Sequence, residues 1–551
     1  MISFTDKRFF FLFSIVASLF LCFSCMYYIY INSTPFPFWD MWNGNVSFVA
    51  EFMKTGDWNL LLQQHNEHRI VITRLLFILD EIAFGGNYSS LYFWNALFPF
   101  IFLVLYISTL AKCINIQKNL IFVILAFGVV FSLIQHNNYE WAFQSQFFLA
   151  FLVPFGAYFS WSLYNKSSKI IFLFATCLLL IASSGTMANG IFATIPLLFL
   201  ELISYRRWRV LTIFTILQAA LAYLYFHNYH SVGGHGNIQT SLIEQPINFI
   251  LYIFTYVGSA FPGIFGTIIG FLEVSYILFL CKKYLLNNER PSRQMELLLF
   301  ALFIFMTALL TAIGRANFGL ETAHSSRYTT PGIYGFLCVV GLFYSHNQNL
   351  RKYINISMAF ISLILVVSQI GYLSKVQVKN QEFWNRAAVI SFLQNTPDTK
   401  TFNQYSYPHD SQTETIQSAR DQKTSLIGKP PYVNMNTILG SPHSSALPEK
   451  KCFGHVDKIY SIDNTDAVTL RGWIYNPSGQ SRYNLLKAIN NNNIILGLGT
   501  TGEYRQDLRE ALGRKEADSG FWIYFRNSNS AQQPLTIILE TSNGSCFLSN
   551  F

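Results

Sequence analysis

Phe9–Ile31 reads FFFLFSIVASLFLCFSCMYYIYI, 23 residues without a charge, directly after Lys7 and Arg8. A helix of that length rises about 35 Å, enough to cross the ~30 Å hydrocarbon layer of a bilayer. A cleaved leader has a shorter apolar stretch and a small-residue cleavage site. Neither is present, so an anchor helix with a cytoplasmic N-terminus is expected. Ten further spans are expected at 91–111, 119–135, 147–164, 170–186, 190–204, 210–227, 263–281, 294–314, 331–345 and 353–372. The apolar segment 247–262 ends at Phe261-Pro262-Gly263 and is expected to be a re-entrant or surface helix. Eleven is odd, which puts the C-terminal region on the side opposite the N-terminus.

The composition agrees. Of the 551 residues, 52% are hydrophobic and 17% aromatic but only 12% charged, against roughly 25% charged in a soluble domain. That excludes a disordered chain and argues against a soluble multidomain enzyme. The net charge of +9 does not point to nucleic acid. Twenty Lys/Arg precede residue 373, most of them in short clusters between apolar runs. The clusters are Lys7/Arg8, Lys112/Lys118, Lys166/Lys169, Arg206/Arg207/Arg209, Lys282/Lys283/Arg290/Arg293 and Arg351/Lys352. This is the positive-inside pattern of cytoplasmic loops. No basic face interleaved with aromatics suggests a nucleic-acid partner.

The chain therefore reads as a polytopic α-helical membrane region, 1–375, with a long first outer loop at 32–90. Within that loop Val71–Phe84 has apolar residues at helical spacing and is expected to be a surface helix. Region 376–451 reads as an amphipathic helix at 381–395 followed by a polar connector at 396–450. Region 452–551 reads as a small extracytoplasmic β-sandwich. Its strands are expected at Ala467–Tyr475, Leu485–Ile489, Ile494–Leu498, Phe521–Phe525 and Leu535–Glu540, with a hairpin turn at Asn490–Asn493. Six cysteines lie in or beside apolar runs and read as small hydrophobes. Cys452 and Cys546 lie in the polar part. They are either a disulfide joining the ends of the domain in an oxidising compartment or two free thiols.

Three outer loops hold the candidate chemistry. The first contains Phe36-Pro37-Phe38-Trp39-Asp40-Met41-Trp42 and then Gln64-His65-Asn66-Glu67-His68-Arg69. Asp40, a few residues beyond the first span, is either a general base with a pKa raised by desolvation or a helix cap before Met41. His65, Glu67, His68 and Arg69 suit recognition of sugar hydroxyls and phosphate, with Arg69 as the anion contact. Their spacing matches no strong metal motif, although a divalent ion is compatible with the residue types. The second loop, His136–Gln146, offers Glu140. In the third, Arg315 ends one span and Arg327-Tyr328 precedes the next. Two outer arginines depart from the positive-inside bias. They either clamp a phosphate bidentately or snorkel to lipid headgroups.

The layout resembles the GT-C class of polyprenyl-phosphate-dependent glycosyltransferases, and within it the bacterial and prophage O-antigen-modifying glucosyltransferases, the Gtr class. The resemblance rests on the anchor helix, the acidic first loop, the many spans, Gly314-Arg315…Ser326-Arg327-Tyr328-Thr329-Thr330 and the C-terminal soluble domain. GT-C enzymes often pair two acidic residues in the first loop, whereas Asp40 stands alone here with Glu67 far along. The resemblance implies inverting transfer of a single sugar, glucose by analogy, from undecaprenyl phosphate to an O-antigen acceptor. It places the reaction on the periplasmic face of the inner membrane. On the sequence itself no cofactor is required, and a divalent metal is possible. Asp40, with Glu67 as the second carboxylate, would then be catalytic. Arg69, Arg315, Arg327 and Tyr328 would hold the donor phosphate. Trp39, Trp42, His65, His68 and Glu140 would contact sugar. The rival expectations are an O-antigen polymerase and a lipid-linked sugar transporter or flippase. The latter should show internal repeats, and none is found.

Overall fold

The structure is a computed structural model that describes residues 4–230, 233, 236–286, 294–375, 381–406, 412–444, 447–476, 483–513, 517–541 and 544–549. Arg290 and Arg293 of the fifth basic cluster lie outside the described residues, as do 407–411 and 445–446 of the connector. The chain divides into two units. The first comprises Met1–Ser33, Trp58–Leu76 and Ser89–Ser374; the second comprises Thr34–Asp57, Phe77–Tyr88 and Lys375–Phe551. The loop 32–90 is thus shared between them, and its helix, Val71–Phe84, begins in one and ends in the other.

The first unit is helical. Among the described residues, nine helices are long and apolar enough to cross a membrane: Arg8–Asn32, Ser89–Leu110, Gln117–Glu140, Ala142–Ser167, Ala188–Tyr205, Trp208–Phe226, Gly263–Tyr284, Met295–Phe318 and Gln348–Ser374. The other two segments expected to span are also helical. Ile170–Ser184 has only 15 residues. Thr329–His346 has 18, starts Thr-Thr-Pro and is buried along most of its length. A helix enclosed by protein need not be apolar throughout, because its neighbours replace lipid.

The segment expected to be re-entrant is a 12-residue helix, Pro246–Val257, about 18 Å long and so too short for a span. It turns back at Gly258–Pro262 onto Gly263–Cys281. The two helices touch backbone to backbone. A Cβ placed on Gly270 would stand 1.8 Å from the Phe254 carbonyl oxygen, and one on Gly258 would stand 1.9 Å from that of Gly266. Small residues at such crossings let helices approach closely. Thr255 and Thr267 share a hydroxyl hydrogen bond of 2.8 Å across the pair.

Some buried polar groups inside the helical unit tie segments together. Gln369 donates to Leu21 O (2.8 Å) and Ser24 Oγ (2.6 Å) and accepts from Leu133 N (3.0 Å), tying three segments together. Two residues of the basic clusters have buried acidic partners. Arg207 pairs with buried Glu201 and Lys112 with buried Glu296.

Among the described residues of the second unit, seven strands form one antiparallel sheet: β1 (Phe453–Ser461), β2 (Val468–Tyr475), β3 (Leu485–Asn490), β4 (Ile495–Glu503), β5 (Gly520–Phe525), β6 (Leu535–Thr541) and β7 (Gly544–Ser549). Their order is β1-β2-β5-β4-β3-β6-β7. Two packed sheets are expected from the sequence; the hydrogen bonding instead joins all seven strands into a single sheet. β1 and β7 are additions to the expected strands. The edges meet where Cys452 N donates to Phe547 O (2.7 Å) and Phe547 N to Lys450 O (3.0 Å), so the sheet curls into a half-barrel. Cys452 and Cys546 are disulfide-bonded at this seam, with their Cα atoms 5.2 Å apart. One face of the sheet, including Leu470, Phe521, Ile523, Leu486, Ile537 and Cys546, packs on itself as a core.

The opposite face is covered by the helix expected at 381–395 and by the region expected to be a polar connector. Helices Gln381–Leu393, Thr399–Tyr405 and Gln412–Asp421 contribute Val389, Leu393, Phe402, Ile416 and Ala419 to a second core with Leu498 and Ile538 of the sheet. Phe36 and Trp42 of the first loop complete that core. The connector's polar composition hides it. A few apolar residues at helical spacing suffice when a sheet supplies the other half of the core.

Candidate functional site

The helical unit gathers several candidate residues through one tight turn. His65 and His68 exchange both backbone hydrogen bonds, at 2.8 and 2.9 Å, with Asn66 in the left-handed region at φ 48°. This puts Asn66 and Glu67 at the tip. The approach to the turn is fixed by Arg74, which the sequence reading passed over. Its Nη1 donates to the carbonyls of Leu60 (2.8 Å), Leu61 (3.2 Å) and Gln63 (2.5 Å). The signal was one arginine interrupting an apolar helical face.

Glu67 forms an ion pair with Arg315, Oε1 to Nη2, at 2.8 Å. His68 Nε2 stands 3.7 Å from the same carboxylate. His68 Nδ1 accepts the Ala188 N–H at 3.2 Å, so a neutral His68 carries its proton on Nε2, facing Glu67. Burial alone would raise the Glu67 pKa. The charge of His68, its own backbone N–H and Arg315 overcome this and hold the carboxyl down to about 2.

Arg315 is the last residue of the helix Met295–Arg315, where a cation meets the negative end of the helix dipole. Arg327 follows on the short turn Ser326–Tyr328, its guanidinium carbon 5.8 Å from the Tyr328 ring centre. Both arginines act electrostatically on the Tyr252 hydroxyl, and Arg315 also feels Tyr328. Glu67, His68 and Arg315 are thus in contact, and Tyr252 lies within electrostatic reach of both Arg315 and Arg327.

The turn bearing Arg327 is latched to the second loop. Asn137 N donates to Ser326 Oγ (3.1 Å) and Ser326 Oγ to Ile134 O (3.0 Å). Asn138 Nδ2 donates to Arg327 O (3.0 Å) and Thr330 Oγ1 (2.7 Å), and Thr330 donates to Gln135 Oε1 (2.5 Å).

Other candidates fall elsewhere. The Arg69 guanidinium bonds the carbonyls of Tyr225 (2.9 Å), His227 (2.7 Å) and Leu62. It is a loop fastener rather than the anion contact expected. His65 is buried, with its ring 5.3 Å from that of Phe143, so it packs instead of meeting sugar. Burial, followed by the charges of Arg74 and His68, pulls its pKa down to about 4. Tyr328 is also buried, between Phe147 and Tyr256. Glu140 belongs to a second cluster, where it receives the Tyr28 hydroxyl and lies 3.2 Å from His136 Nδ1. The His136 ring is 5.0 Å from that of Tyr372.

Three candidates belong to the second unit. The Asp40 carbonyl accepts the Gly44 N–H at 2.7 Å, opening the helical stretch that runs through Thr55. Trp39 is 44% exposed and its backbone N donates to Ser406 O (2.8 Å). Trp42, expected to stack on sugar, is instead a core residue with its Nε1 donating to Ser406 Oγ at 2.9 Å. Arg386, also missed, lies between the rings of Phe36 and Tyr483 at 4.5 and 4.6 Å.

Among the described residues, no three His, Cys, Asp or Glu side chains come together in a way that could hold a metal ion. No known family model, curated protein or solved structure matches the chain.

Proposed function

We propose that the protein is a membrane glycosyltransferase that moves one sugar from a polyprenyl-phosphate donor to a surface glycan, on the face opposite its cytoplasmic N-terminus. The observation that carries this reading is the pairing of Glu67 with Arg315, which ends a long apolar helix, together with Arg327 on the turn before the helix Thr329–His346. Guanidinium groups at a membrane-helix end suit the phosphate of a lipid-linked substrate, which they can bind through charge-assisted, bidentate hydrogen bonds. A sugar donor outside the cytoplasm has to be lipid-linked, because nucleotide sugars are confined within it.

The acceptor hydroxyl oxygen would attack the anomeric carbon and form the new C–O bond. The bond from that carbon to the phosphate oxygen would break, its electron pair leaving with polyprenyl phosphate, and the configuration would invert. Arg315 and Arg327 would stabilise the charge gathering on the leaving phosphate. The hydroxyl proton would pass to a carboxylate, for which Asp40 is the candidate from sequence alone. With eleven spans, the C-terminal unit would be periplasmic in a bacterial inner membrane, where the Cys452–Cys546 disulfide is stable.

The test is mass spectrometry of lipopolysaccharide from cells expressing the wild type, Arg315→Ala, Arg327→Ala or Asp40→Asn, with membrane levels of each protein matched. The expected result is an added side-branch hexose in the wild type that the arginine variants lose. Altered chain length with no added hexose would establish a polymerase instead. Undiminished transfer by Asp40→Asn would remove Asp40 as the base while leaving the arginines in place.

A further inference from the structure

Arg315 already has an anion. Its Nη2 is 2.8 Å from Glu67 Oε1, and both side chains are about a quarter exposed. The carboxylate therefore occupies a direction from which a phosphate oxygen would approach the guanidinium. A proton does not remove it, because the group is held down to about 2 by His68, its own N–H and Arg315 against the opposing effect of burial. Glu67 is anionic throughout the physiological range, and only a competing anion can take its place.

The surroundings allow such an exchange. Glu67 sits at the tip of a turn whose backbone is fastened on both sides, by the His65–His68 hydrogen bonds and by Arg69 and Arg74 on backbone carbonyls. Its side chain can thus change partner without unfolding the loop. His68 offers the alternative partner, since its Nε2 lies 3.7 Å from the carboxylate and its Nδ1 is anchored by Ala188 N–H. Arg69 cannot stand in for Arg315, because its guanidinium is bound to the carbonyls of Tyr225, His227 and Leu62.

We propose that Glu67 is an internal competitor at Arg315, displaced towards His68 when a phosphate ester binds, so that the ion pair sets the affinity for that ester. The proposal rests on the reading of Arg315 as a phosphate contact. It goes further in giving Glu67 a role in binding that is separate from proton transfer. Such a competitor prevents the arginine from retaining the spent lipid phosphate too tightly. In the proposed reaction, it would speed the release of polyprenyl phosphate.

The experiment is equilibrium binding of farnesyl phosphate to the full-length protein in nanodiscs, with inorganic phosphate as a separate titrant. It compares the wild type with Glu67→Gln, Arg315→Ala, Arg315→Lys and the double variant Glu67→Gln/Arg315→Ala. Glu67→Gln removes the competing charge and keeps the shape, so it should bind farnesyl phosphate about two to five times more tightly, the range expected for a partly exposed ion pair. Arg315→Ala should lose most of the affinity, and adding Glu67→Gln to it should restore nothing. Arg315→Lys keeps a cation should the alanine variant not fold, and should respond to Glu67→Gln in the same direction. A tightened response to farnesyl phosphate alone identifies a lipid-linked ligand, and an equal response to inorganic phosphate identifies the free anion. If Arg315→Ala weakens binding but Glu67→Gln binds no more tightly than the wild type, the competitor role is overturned and the phosphate site stands. If Arg315→Ala and Arg315→Lys bind as the wild type does, or no protein binds either titrant, the phosphate site itself is overturned.

Discussion

Asn138 fixes Arg327 through the backbone: its fully buried side-chain amide donates to the Arg327 carbonyl at 3.0 Å while also donating to Thr330 Oγ1 at 2.7 Å. The second outer loop thereby sets where the third presents its guanidinium. Removing this buried donor takes a hydrogen bond from the Arg327 carbonyl, at about 1–3 kcal/mol, while the Thr330 hydroxyl keeps its bond to Gln135. Asn138→Ala is expected to lower sugar transfer about tenfold or more, since small misplacements of a charge-stabilising group are costly. If Asn138 acts through Arg327, the double variant with Arg327→Ala should transfer no less than Arg327→Ala alone. Additive losses would give Asn138 an independent role.

Trp42 is a test of the difference between a core ring and a sugar platform. Its ring packs on Phe402 at 5.2 Å between centres and its Nε1 reaches Ser406 Oγ. Trp42→Ala should destabilise the protein by about 3–5 kcal/mol, read as a lower melting temperature and faster proteolysis in detergent. Trp42→Phe should recover most of that stability. A platform residue would behave the other way, with stability unchanged and binding lost.

The disulfide closes 94 residues of chain. Replacing Cys452 and Cys546 by serine is expected to cost about 2–5 kcal/mol, and the melting temperature of the wild type should fall on adding reductant. The double serine variant should not respond to reductant. A wild-type melting temperature unmoved by complete reduction, verified by thiol labelling, would contradict this.

His65 gives a pH signature. Its proton binds near pH 4 in the fold and near 6.5 when unfolded, because burial and the charges of Arg74 and His68 disfavour the cation. On acidification the unfolded chain is protonated first, so stability falls as pH drops from about 6.5 to about 4 and levels off below that. The full effect is on the order of 3 kcal/mol. Melting curves across that window should slope less for His65→Gln than for the wild type; parallel slopes would rule out His65 as the cause.

Local pattern carried far into this structure. The helix Val71–Phe84 has the bounds its periodicity predicts, and the segment 247–262 contains a helix too short to span, as its Phe-Pro-Gly ending suggests. The five expected strands lie within a residue or two of their predicted starts. Asn490–Asn493 forms the β3–β4 turn, with Ile494 N donating to Asn490 Oδ1 at 2.9 Å. The arrangement of those strands was not legible. Pairing of β2 with β5 and β3 with β6 depends on residues tens of positions apart, and alternating apolar residues fit a sandwich as well as a curled sheet. The polar connector was misread for a similar reason, because Phe402, Ile416 and Met435 are sparse along the chain and become a core only when the sheet lies beneath them.

The sequence by itself determined that this chain has helices long and apolar enough to cross a membrane, where they lie and where its charges cluster, because those are properties of composition and period along the chain. Only the tertiary structure decided which of those charges meet. Glu67 and Arg315 are 248 residues apart yet paired, while Arg69, two residues from Glu67, is bound to backbone carbonyls and Trp42, two residues from Asp40, is sealed in a core. Burial and charge pairing depend on distance in space, which neighbouring positions in a sequence do not fix.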